Sequence, residues 1–284
     1  MRRLIVTADD FGLTPETNAG IIEAHTTGLV TSTSLLMNGT ATDAAIALAA
    51  QHPSLEVGLH LSIVEGKSLT GLASSVTDEL RYFDNELCLH RDWQRFIRRW
   101  LTRRIDISHL EAELRAQIEA FLAIYKSIPF ANGTQHLHVL PGVQDLVMRL
   151  AAEYGIRALR IPQQTLSSGT TRGGGVYDAV LRRLAGPMKT KANKAQIRSP
   201  QYFGGFDASG RLNGERLLQL IENLPSGTTE IMAHPGHDST LLRQCLPRSY
   251  RRFDWRGELD ALCAPGLLEK LDQLGIKRIG FRDL

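Results

Sequence analysis

Seven short runs of aliphatic and β-branched residues recur between helix-length segments: Leu4 to Ala8, Val30 to Met37, Leu55 to Leu61, Gln135 to Leu140, Ala158 to Ile161, Glu230 to Ala233 and Lys277 to Phe281. Strands that are apolar on both faces and separated by helices are what a parallel sheet covered on both sides requires. The expected class is α/β. Residues 16–27 end at Gly28 in the manner of a helix C-cap, and Ser108-x-x-Glu111 opens an amphipathic run carrying Leu110, Leu114, Ile118, Leu122 and Tyr125. Such a repetition can close into a barrel or stay open, and periodicity alone does not choose.

Two stretches interrupt the rhythm without reading as separate domains, so residues 1–284 are expected to form one domain with insertions at about 64–107 and 164–212. The first contains RDWQRFIRRWLTRR, where Trp93, Phe96, Ile97, Trp100 and Leu101 form a helical stripe among Arg91, Arg95, Arg98, Arg99, Arg103 and Arg104. A basic amphipathic helix over 91–104 suits peripheral membrane contact or an anionic ligand, and equally an insertion helix packed on the barrel with solvated arginines. The second, with SSGTTRGGG and KTKANK, reads as a long loop region around one short helix, where substrate lids tend to lie.

Composition narrows the partners. With 33 basic against 30 acidic residues the chain carries a formal charge of only +3, too little for a nucleic-acid binder as a whole. Cys88, Cys245 and Cys263 form no C-x-x-C pair, which disfavours a disulfide framework or zinc ribbon and fits a reducing compartment. The N-terminal apolar stretch is too short for a signal sequence, and no run is long enough to span a bilayer, so a cytoplasmic protein is expected. A homodimer is compatible with all of this.

Polar residues that are expensive to bury gather at the C-terminal ends of the expected strands: Asp9 and Asp10, Asn38, His60, His136 and His138, Arg160, and His234. That edge carries the active site in parallel α/β folds. Where a strand turns into its loop, adjacent aspartates can reach one cavity, one as metal ligand and one as proton acceptor. A histidine such as His60 beside a carboxylate suits a divalent ion, and alternation along a strand puts His136 and His138 on one face. His234 stands before Pro235 and Gly236, where a sharp turn exposes its ring to act as general acid; His237 reads as a solvent-facing loop residue. The Gly173 to Gly175 run follows no suitable strand, EGKS at Glu65 to Ser68 lacks the first P-loop glycine, and no G-x-S-x-G is present. Nucleotide and serine hydrolase chemistry are thereby disfavoured.

In order and spacing, LIVTADDFGLTPETNAGIIEAHTTGLVTSTSLLMNG, VGLHLS, NGTQHLHVLPGV, ALRIP and EIMAHPGHDS resemble the YdjC family of carbohydrate deacetylases, over nearly all of the chain. The wording of NG-x-QH-x-H and of DWRGELDAL resembles the hopanoid-biosynthesis members most. The resemblance implies a distorted (β/α) barrel and a divalent metal, zinc or magnesium, and removal of an N-acetyl group from an amino sugar or glycolipid. On this chain it implies Asp9 as catalytic base, Asp10 and His60 as metal ligands, His234 as general acid and Arg160 as a residue orienting a carboxylate or the substrate. His136 is taken as the remaining metal candidate, and Asn38, His138 and Arg160 as substrate-binding.

The sequence departs from the family pattern at Thr134, where a second metal histidine is expected, and at Phe130. If residues 135–140 are a strand, His136 lies about 6.6 Å along from the missing ligand and cannot replace it. Metal affinity should then fall. Alternatives to an active deacetylase are therefore a degenerate member that binds carbohydrate without catalysis, and a metal-dependent amidohydrolase of a non-sugar amide.

Overall fold

A computed structural model of the chain describes residues 1–82, 86–163, 165–168, 176–239, 243, 250 and 252–284. Strand β1 (Arg2–Phe11) is its axis, with Leu4, Ile5, Val6, Ala8 and Phe11 wholly buried. Its whole length to Ala8 pairs with β8 (Gly227–Ala233). On the other side its first residues pair with β9 (Ile276–Arg278) and its later ones with β2 (Ser32–Leu35). Beyond β2 lie β3 (Glu56–Leu61) and β6 (Ala131–Gly133), and beyond β8 lies β7 (Tyr202–Gly204), every pairing parallel. Single bridges Ala131–Leu159 and Ala158–Arg198 carry the curl from β6 round toward the segment that becomes β7. The result is a mostly parallel sheet curled into a distorted barrel with helices around it.

The helices are α1 (Pro15–Thr26), α2 (Thr42–Gln51), α3 (Trp93–Leu101), α4 (Ile107–Ile124), α5 (Val143–Glu153), α6 (Val176–Lys194), α7 (Gly214–Glu222), α8 (Trp255–Leu262) and α9 (Leu267–Gln273). Several begin on a short polar side chain that accepts a backbone N–H, as Thr14 does for α1 and Asn213 for α7. For α4 that residue is Asp106, whose carboxylate accepts from the Ser108 amide at 2.9 Å, rather than the expected Ser108–Glu111 box. Glu111 instead pairs with Arg115 and Arg149. Among the described residues no helix is long and apolar enough to cross a membrane.

Three sequence expectations are corrected. Residues 135–140 are not a strand: β6 ends at Gly133, and 134–139 form a tight helical turn with Gln135 and His136 left-handed at φ 50° and 54°. The expected strand at 158–161 is reduced to the single bridges noted above. Much of 164–212 is ordered as the 19-residue α6 and β7, while Gly173 to Gly175, like Cys245, lies outside the described residues.

The insertion before α4 forms a hairpin of β4 (Thr77–Tyr82) and β5 (Glu86–Leu89), then α3. The apolar stripe of α3 turns inward: Phe96 is wholly buried, Trp100 stacks on it at 6.2 Å, and Trp100 Nε1 donates to the Pro141 carbonyl at 3.0 Å. Leu101 is left facing out beside exposed Arg98, Arg103 and Arg104. Trp100→Ala should lower the unfolding free energy by about 2 kcal/mol in a denaturant titration, since a partly buried aromatic and its hydrogen bond are both lost. An unchanged midpoint would show that α3 is only loosely attached.

Candidate active site

The end of β1 decides the site. Pairing with β2 slips between Ala8 and Phe11, Asp10 is left-handed at φ 69°, and Gly12 follows at φ 92°. An L-residue held there costs on the order of 1 kcal/mol, which Asp tolerates better than most. The twist turns both Asp9 and Asp10, which a regular strand would point oppositely, onto one cleft. His60, His136, His234 and Tyr250 line the same cleft.

Asp9 is embedded in donors. Its Oδ1 accepts from Ser34 Oγ at 2.8 Å, Asn132 Nδ2 at 3.1 Å and Arg160 Nη2 at 2.9 Å, and its Oδ2 accepts from Arg160 Nη1. Burial alone would raise the pKa of Asp9; the Arg160 guanidinium, reinforced by His60 and His234, outweighs it and holds the carboxyl far below its ordinary range. Arg160 is itself wholly buried and also donates from Nε to Glu230 Oε1 at 2.8 Å. Glu230 takes a second bond from Thr7 Oγ1 at 2.9 Å, yet its other oxygen has no partner. Burial therefore prevails there and raises the Glu230 pKa. Arg160 thus holds the Asp9 carboxylate and, although read as substrate-binding, does not line the cleft.

Asn132, from β6, links the two aspartates. Its Nδ2 donates to Asp9, so its Oδ1 is turned toward His60 Nδ1, 2.6 Å away. A side-chain carbonyl can only accept, so His60 carries hydrogen on Nδ1 and presents Nε2 to Asp10 Oδ1 at 3.3 Å. Two such acceptors face each other stably only with a proton or another cation between them. Burial disfavours a charged His60, but the hydrogen bond to Asp10 and the charges of both aspartates override it and raise its pKa.

The tight turn after β6 brings His136 back to the cleft, so its distance from the other ligand candidates is not set by strand spacing. Its ring packs edge-on to Phe206 at 4.9 Å, and its Nδ1 is buried without a partner. Burial, then Arg160, push its pKa well below the ordinary value, so the ring is neutral and able to act as a ligand. Thr134 does not face a vacancy: its Oγ1 accepts from the Ile63 amide at 3.1 Å and tethers the loop after β3. His138 is wholly buried and donates from Nε2 to the Arg160 carbonyl at 3.0 Å; burial is the main force lowering its pKa to about 4. It braces the Arg160 backbone and does not line the cleft. Among the described residues no three His, Cys, Asp or Glu side chains are already gathered as a ligand set would be.

At the end of β8, whose Ala233 is in register with Ala8 of β1, His234 packs edge-on to Phe253 at 5.0 Å. The Glu258 carboxylate, from α8, accepts the His234 amide at 2.5 Å and the Leu212 amide at 3.1 Å, and lies 3.9 Å from His234 Nδ1. The turn at Pro235 and Gly236 is pressed onto α1, where a Cβ on Gly20 would fall 2.4 Å from the Gly236 Cα. His237 meets Glu23 at 3.1 Å and remains partly exposed. Asn38 is also absent from the cleft wall; its Nδ2 donates to the carbonyls of Glu65 at 3.2 Å and Lys67 at 3.0 Å.

Sequence reasoning missed Asn132, Glu230, Glu258, Glu65 and Tyr250. A signal existed for Glu230, a carboxylate inside an apolar run, and for Glu258 within DWRGELDAL. Asn132 was hidden because NG reads as a turn, and Tyr250 because no periodicity surrounds it.

The family model described as YdjC-like protein matches residues 3–273. The chain is 32% identical to a human protein named carbohydrate deacetylase, over 99% of this chain and 91% of that one. It is also 32% identical to the mouse protein of the same name, over 99% and 94%. A solved structure from Enterococcus faecalis V583, named for cellobiose-phosphate cleavage, shares the fold with a TM-score of 0.72 at 23% identity, covering 99% of this chain and 98% of the other. A match of this extent, on a chain whose ADDFG, HLS and AHPG segments converge on one cleft, makes it a member of the YdjC-like protein family.

Proposed function

We propose that the chain hydrolyses the acetamide of an N-acetylated amino sugar, free or carried on a lipid, with a divalent cation, zinc or magnesium, held by Asp10, His60 and His136. The observation that carries this is the left-handed Asp10, which turns two neighbouring carboxylates onto the cleft that His234 also lines. Asp10 and His60 suit the cation, because Nε2 and Oδ1 oppose each other as acceptors and His60 is steered from behind by Asn132, as metal-bound imidazoles commonly are; neutral His136, with an unpartnered buried nitrogen in the same cleft, would draw in to complete the set. When bound, such a cation supplies Lewis acidity toward an acyl oxygen and toward water.

The chain's own residues do the rest. Arg160 keeps Asp9 ionised near neutral pH, so the carboxylate is free of a proton there and positioned to accept one from the attacking water. Its strength as a base is low, so position rather than basicity is its contribution. His234 delivers a proton to the departing amine, and Glu258 fixes the backbone that carries its ring. Thr134, bonded to the Ile63 amide, holds the loop after β3 and adds no ligand to the set.

Acetate release from a panel of N-acetylated glucosamine oligomers and glycolipids, with zinc or magnesium supplied, tests the reaction. No release from any sugar, with release from a simple acetamide, would reject the sugar reading. For the cation, calorimetric titration of chelator-treated protein should show one site, lost in His60→Ala and weakened about 10–100-fold in Asn132→Leu. Thr134→Ala should leave that affinity unchanged.

A further inference from the structure

The loop after β3 is held with unusual thoroughness around Glu65. Glu65 is left-handed at φ 70°, followed by Gly66 at φ 77°. Its amide donates to the His90 carbonyl at 3.0 Å, while its carbonyl accepts from Ser62 Oγ at 2.9 Å and Asn38 Nδ2 at 3.2 Å. Further along, wholly buried Glu113 of α4 accepts from Ser68 Oγ at 2.8 Å and the Leu69 amide at 2.9 Å, and Gln117 is bonded to Ser62 at both ends of its amide. A non-glycine residue kept in a strained conformation by that many clamps is a marker of a functional position.

The clamps aim the Glu65 side chain at Tyr250. The two are hydrogen-bonded, Glu65 is only 9% exposed, and its Oε1 has no partner. Tyr250 is 3% exposed, lines the same cleft as Asp9, Asp10 and His234, and packs on Phe253 at 4.9 Å, the ring that also supports His234.

We infer that Tyr250 is a catalytic hydrogen-bond donor to the acyl oxygen in this cleft, and that Glu65 is its positioning residue, giving a hydrogen to the phenol oxygen so that the phenol hydrogen points to substrate. The inference deepens the deacetylation reading and rests on it for the identity of the acyl group. Burial, with Asp10 and Asp92 adding like charge, outweighs the opposing Tyr250 hydrogen bond and Arg91 and pushes the Glu65 carboxyl well above its ordinary range, which favours the acid form that donation requires. The phenol is likewise kept neutral by burial, with Asp10 and Glu65 contributing. No proton is consumed: the donor stabilises charge that develops on oxygen during attack and returns to its starting state when the amine leaves.

Tyr250→Phe keeps the ring and its packing and removes only the donor. It should lower kcat by about 100-fold with little change in KM. Glu65→Gln, whose amide N–H can donate to the phenol, should retain most of the wild-type kcat, and Glu65→Leu should fall toward the Tyr250→Phe level. Unchanged kcat in Tyr250→Phe, or equal losses in Glu65→Gln and Glu65→Leu, would overturn the assignment. Titration with acetate separates this from the parent reading, because it needs no turnover: Tyr250→Phe should weaken acetate binding roughly 10-fold. Equal acetate affinity in the wild type and Tyr250→Phe overturns the donor role, whereas failure of the wild type to release acetate from any sugar, with the acetate difference intact, overturns only the deacetylation reading.

Discussion

Asp9→Asn is expected to lower kcat/KM by about 10³-fold, because the amide occupies the same space but cannot take a proton from water. The same change is not neutral for folding. Asp9 is one of two carboxylates that compensate the buried Arg160, and losing it leaves the guanidinium with Glu230 alone. A stability loss of about 3 kcal/mol follows from removing one partner of a buried ion pair. The pH dependence separates the two effects. Asp9 has a folded pKa below its ordinary value of 3.8, so its ionic contribution is present above that value and is lost as pH falls through the lower one. Wild type should therefore lose stability in strong acid along a limb that Asp9→Asn lacks. Wild-type turnover in a well-folded Asp9→Asn variant would remove Asp9 from the base role.

Arg160→Met should be the most destabilising single change at the site, at about 3–5 kcal/mol near neutral pH, since it strands Asp9 and Glu230 in the interior without a counter-charge. Each stranded carboxyl would then have a folded pKa above its unfolded one, the reverse of Asp9 in the wild type. Such groups destabilise once pH exceeds the unfolded pKa, and the penalty disappears on protonation. The deficit of Arg160→Met should accordingly shrink as the pH is lowered toward 4, in thermal melts run beside the wild type. A deficit independent of pH would mean that Arg160 acts through packing on Phe203, 5.6 Å from its guanidinium carbon, rather than through charge.

Much of the site was legible because its residues stand where strands end. Asp9, Asp10, His60 and His234 each close an apolar run, and a parallel sheet delivers all such ends to one edge. The misreadings arose where the backbone leaves its regular path. His136 and His138 read as strand partners on one face, but the left-handed turn at Gln135 and His136 sends one ring to the cleft and the other to the Arg160 carbonyl. Asn38 read as a substrate contact, yet it holds the carbonyls on either side of Gly66. The aromatic stripe of α3 was visible, but that Trp100 packs on Pro141 and Gly142, distant in the chain, was not.

By itself the sequence determined the α/β class and the polar groups on the catalytic edge, because apolar periodicity and strand-end placement are local properties of the chain. Only the tertiary structure decided which of those groups face one another, since that follows from left-handed residues and buried polar partners such as Asn132, Glu230 and Glu258, whose significance exists only once distant segments are packed together.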